Sequence, residues 1–108
     1  MKNKIEKRYA FLDYIKEGDI VIAIIFRGCW IDAITMKRGI KNYEEIISWL
    51  KEEGYFYEIS GFHLSNSIIE KFRLYNIPNI PCCKRNLNSA KVIIDGIRNW
   101  LNNFINAF

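Results

Sequence analysis

The sequence predicts an α/β domain with helices on both faces of its sheet. Two observations carry this. "DIVIAIIF" is an unbroken apolar run of strand length, which suits a central strand buried on both sides. Around it helical and strand patterns alternate, and such alternation builds a layered α/β fold. The 108 residues suffice for one core and not two, so a single domain over 1–108 is expected.

The elements follow in order. "IEKRYAFLDYIKEG" sets Ile5, Tyr9, Leu12 and Ile15 on one helical face with Gly18 as a stop, predicting a first helix before the apolar strand. "RGCWIDAITMKRG" is open at this level. Gly28 suits a hairpin turn into a second strand, while residues from Ile31 suit a helix ended or kinked near Gly39. "NYEEIISWLKEEG" is a helix, with Asn42 as cap, Glu45 answering it, and Tyr43, Ile46, Ile47 and Leu50 on one face. "YFYEISGF" is an aromatic-rich strand.

In "SNSIIEKFRLYN", Ser67 and Glu70 suggest a capping box ahead of a stripe of Ile68, Ile69, Phe72 and Tyr75. A short strand is expected around "NIPNIPCC". Proline in a strand removes a ladder hydrogen bond, so Pro81 assigns it to a sheet edge, one open to another chain. "SAKVIIDGIRNWLNNFINAF" closes the chain as a long helix with Ala90, Ile93, Ile94, Ile97, Leu101, Phe104, Ile105 and Phe108 in one stripe.

With the elements in that order, the chain resembles the thioredoxin-like superfamily over nearly its whole length. "EKFRLYNIPNI" looks like that family's helix running into an Ile-Pro step. "IVIAIIFRGCWIDAITM" looks like its first central strand and redox loop, and "IRNWLNNFI" like its closing helix. The resemblance implies a three-layer fold whose mixed sheet is reduced to about four strands, its terminal strand shortened or lost, with a helix over Ile31–Met36 and a cis bond before Pro78. It also places the two redox cysteines on Ile31 and Ile34 and the buried acid on Ile25. None of these side chains can attack or form a disulfide, so dithiol oxidoreductase activity is not expected.

What the resemblance leaves intact is the capacity to hold an extended polypeptide by main-chain hydrogen bonds beside the proline. The expected site therefore joins Trp30, Ile31, Asp32, Ala33 and Ile34 of the former redox loop to Ile77, Pro78 and Asn79. Its partner would be another polypeptide or a second copy of the chain.

Two rival classes come from composition. The net charge is +4, and Lys37, Arg38, Lys41, Lys84 and Arg85 form the candidate set for nucleic-acid binding. Cys29, next to Arg27, is the candidate thiol for a monothiol or glutathione-linked enzyme. Three cysteines are an odd set, against a stapled secreted domain. With a single histidine, His63, and no Cys-x-x-Cys, no metal site and no cofactor are expected. Cys82 and Cys83 are read as core-filling residues and His63 as a loop residue. No apolar segment is long enough to span a bilayer and no signal core follows the opening charges, so a cytoplasmic protein is expected.

Overall fold

The computed structural model describes residues 7–106. Its elements are strands β1 (Arg8–Ile15), β2 (Ile20–Arg27), β3 (Trp30–Arg38) and β4 (Ile59–Leu64), with helices α1 (Tyr43–Glu52), α2 (Asn66–Phe72) and α3 (Lys84–Asn106). The strands form one mixed sheet in the order β3-β2-β1-β4. β1, β2 and β3 make an antiparallel meander, and β4 returns parallel to β1 after the α1 crossover.

Helices cover both faces. Directly opposed residues share a face, so the register sorts the core in two. Ala10, Leu12, Val21, Ala23 and Ile25 pack with Ile46, Trp49 and Leu50 of α1 and Ile68 of α2. Phe11, Ile15, Ile20, Ile22, Ile24 and Phe26 pack with Ala90 and Ile94 of α3. β2 contributes to both sets along its length, which is why its sequence is apolar without interruption.

The expected α/β class, mixed four-stranded sheet and helices on both faces are those found; the path of the chain differs in four places. The residues assigned to a first helix, as far as they lie within the described chain, are strand β1. A strand packed on both faces needs apolar residues at odd and even positions alike, and the spacing of Tyr9, Leu12 and Ile15 is a by-product of that. Ile31–Met36 is strand rather than helix, and Gly28, at φ 59°, makes the hairpin turn. The cap of α2 is Ser65, whose hydroxyl accepts from the Ile68 amide at 3.3 Å, and not Ser67.

The fourth correction concerns the prolines. The described residues contain no cis peptide bond, so Ile77–Pro78 is trans. The segment is not a strand; it runs outside β4 as an irregular cover. The Ile80 amide donates to the Phe62 carbonyl at 2.8 Å, and Asn79 bonds both backbone groups of Leu64. α3 then begins at Lys84, six residues ahead of Ala90, where the apolar stripe starts.

Candidate functional site

The sheet has two outer strands, and they end differently. β4 is closed by residues 76–81. β3, nine residues long, is the outer strand on the other side, and among the described residues no backbone hydrogen bond reaches its outer edge. An edge of unpaired amides and carbonyls is a template for another strand unless something blunts it.

The side chains along β3 are sorted by its register with β2. Ile34 lies opposite Ile24 and Met36 opposite Ile22, on the face that carries α3; Ala33, Thr35 and Lys37 take the other face. Between Ile25 and Phe26 the register shifts, leaving Asp32 as an extra residue on β3. The bulge keeps Ile31 opposite Phe26 and therefore on the α3 face as well. It also aims Asp32 at two arginines on neighbouring strands: its carboxylate accepts from Arg8 Nε at 2.5 Å and pairs with Arg27 Nε at 3.3 Å. Arg8 and Arg27 are directly paired across β1 and β2, so the shared carboxylate offsets a like-charge contact.

α3 crosses the sheet over β1 and β2 and leaves this part of β3 bare. Ile31, Ile34 and Met36 are 40, 45 and 48 % exposed, the fractions for exposed side chains rather than a closed core. Beside them runs a groove of about 460 Å³ lined by Ile20, Met36, Val92, Gly96, Ile97 and Trp100, with no charged residue in its lining. Val92 and Trp100 stand out from α3 on its rim, 72 and 62 % exposed. Sequence reasoning had Trp30, Ile31 and Ile34 as binding candidates but missed Met36, Val92 and Trp100. A stripe wider than one helix face needs, from Val92 round to Trp100, was the available signal.

The expected site is divided by the fold. Trp30, Ile31, Asp32, Ala33 and Ile34 belong to the β3 edge. Ile77, Pro78 and Asn79 lie beyond β4, four strand spacings away, roughly 20 Å at ~4.8 Å each. Ile77 packs against the core under α1 and α2, and Asn79 is engaged with Leu64. The proline segment and residues 30–34 do not form one surface. The open edge is β3 and not, as Pro81 suggested, the edge next to the prolines.

The basic candidates are divided too. Lys37, Arg38 and Lys41 stand at the end of the sheet where Arg38 opposes Ile20. Lys84 and Arg85 stand at the other end, next to Asn86, which reaches the Gly28 carbonyl. The length of β2 separates them, roughly 24 Å at ~3.4 Å per residue.

The three cysteines are free thiols. Cys29 is exposed at the hairpin turn and Cys83 exposed ahead of α3. Cys82 packs against the α3 layer, its sulfur 3.1 Å from the Tyr9 hydroxyl; burial pushes its thiol above the ordinary range. Cys82 thus fills the core as expected and Cys83 does not. Burial, and then the hydrogen bond with Cys82, also hold Tyr9 in its neutral form. The Asn86 amide, buried among these groups, donates to the Tyr9 hydroxyl at 2.7 Å and the Gly28 carbonyl at 2.9 Å. His63 lies in β4 rather than a loop; its Nδ1 donates to the Ile80 carbonyl at 2.7 Å while its ring stacks on Phe11.

Among the described residues no group of three or more His, Cys, Asp or Glu is placed to hold a metal ion, and no helix is long and apolar enough to cross a membrane. Comparison with known proteins adds no relative: no family model matches the chain, and no curated protein or solved structure matches it either.

Proposed function

We propose that this chain is a polypeptide-binding module that acts through the outer edge of β3 and the apolar strip beside it. The observation that carries the reading is the asymmetry of the two edges: one is closed by the chain itself and the other is open. An extended segment added there would gain main-chain hydrogen bonds from β3, and its side chains would enter the groove against Ile34, Met36 and Trp100. Ile31 and Ile34 serve in this reading as contact surface. Nucleic-acid binding has less support, since its five basic residues stand at two ends of the sheet.

A photo-reactive residue placed at Ile34 or Met36 tests this in cells. Cross-linking to a polypeptide, whether the chain itself or another, is expected there and not from Tyr57, which is more exposed than either but lies outside the strip. Equal cross-linking from all three positions would reject the reading.

A further inference from the structure

We infer that the polypeptide seated on this face is a second copy of the chain, added antiparallel to β3 about a two-fold axis through Thr35. This rests on the reading of β3 as a binding edge and names its partner.

The first support is the self-complementarity of the strand. In an isologous contact residue i meets j and j meets i, so a strand pairs with its own copy only in registers that suit both. With Thr35 opposite itself, Ile34 of each copy meets Met36 of the other on the α3 face, twice. On the opposite face Lys37 meets Ala33, so no like charges stand directly across. Moving the axis to Ile34 sets Met36 against Asp32. Moving it to Met36 sets Ile34 against Arg38, and moving it to Lys37 sets lysine against lysine.

The second support is area. A two-fold axis perpendicular to the sheet keeps each face continuous, so both α3 layers lie on one side. The strips of Ile31, Ile34 and Met36 then merge between them under Val92 and Trp100 of each copy. These five side chains expose on the order of 600 Å² per copy, near the ~800 Å² that each partner of a standard interface buries once paired backbone is counted.

The third is Gly96. It lies inside a 23-residue helix and lines the groove, and a Cβ built on it would meet nothing within 4 Å. Glycine there weakens the helix by ~1 kcal/mol relative to alanine, and no contact within the chain requires it. Its bare backbone leaves the groove wall open to close approach by a second copy.

Sedimentation equilibrium of the full chain tests the inference. A mass twice the 12.8 kDa of one chain is expected. Ile34→Lys, and independently Met36→Glu, should sediment at the single-chain mass with an unchanged far-ultraviolet circular dichroism spectrum. A wild-type chain that stays monomeric at all concentrations overturns the dimer, as does a folded Ile34→Lys chain that remains dimeric. If the wild-type chain is monomeric while position 34 cross-links to a different polypeptide, the dimer fails and the binding edge stands. If it is monomeric and position 34 cross-links to nothing, both fail.

Discussion

The carboxamide of Asn79 holds both backbone groups of Leu64: Oδ1 accepts from the Leu64 amide at 2.8 Å and Nδ2 donates to its carbonyl at 3.2 Å. One side chain thereby substitutes for a neighbouring strand at the end of β4. The edge beside the prolines is finished within the chain, and the only outer strand left for a partner among the described residues is β3.

Replacing Asn79 with Leu strips both bonds from the backbone of Leu64, a buried residue capped here by an exposed segment. Unmet polar groups of this kind cost about 1–3 kcal/mol, so the midpoint of urea unfolding should fall accordingly. The Leu64 amide should also lose hydrogen-exchange protection while that of Ile24, in the centre of the sheet, keeps its own relative to global stability.

Ser65 has two roles at the start of α2. Its hydroxyl donates to the Asp13 carboxylate at 2.5 Å and accepts from the Ile68 amide at 3.3 Å. Ser65→Ala should cost more than the ~1 kcal/mol of an ordinary cap, because it also removes a partner from a buried carboxylate. Asp13→Ala should lower stability as well, and the double variant by less than the sum of the two, as measured by denaturant titration.

Gly96→Ala should raise stability. Measured in the Ile34→Lys chain, where the partner is absent, the gain should approach ~1 kcal/mol, read as a thermal midpoint raised by several degrees. In the wild-type chain the gain should be smaller or reversed, because the added methyl occupies the approached surface.

Tyr9, Tyr14 and Tyr43 are all held above the ordinary tyrosine range, chiefly by burial. The folded chain therefore keeps phenol protons that the unfolded chain has released. Stability should fall as pH rises from about 10 upward, with no contribution from these groups below that range. Tyr9→Phe should flatten this alkaline decline, although it lowers stability at neutral pH by removing a partner of Asn86. Thermal melts across the alkaline range decide both.

Much of the fold was legible from local chemistry. α1 carries its cap in plain sequence: Asn42 accepts from the Glu45 amide at 2.9 Å, although Glu45 answers at the Lys41 amide and not at Asn42 itself. β2 was legible because burial on both faces leaves an unbroken apolar run. β1 was not, for a related reason: a strand packed on both sides has no alternation, and its apolar residues then fit a helical spacing. In β3 the bulge at Asp32 breaks the period of two, so Ile31 and Ile34 come three apart on one face, as on a helix. The isoleucines are exposed on β3, but their separation from Pro78 was not recoverable, because the strand order that separates them is set by non-local pairing.

Asn86 joins residues far apart along the chain, reaching Tyr9 across 77 positions and Gly28 across 58. During synthesis the meander of β1, β2 and β3 is available well before α3 has been made. Ile20, Ile22, Ile24 and Phe26 must then wait for some sixty further residues before their cover arrives, several seconds at ~5–20 residues per second. α3 is synthesised after the meander, so its layer can dock only once the three strands already exist. The nascent chain is most exposed to misassembly in that interval, with one half of its future core already aligned and still wet.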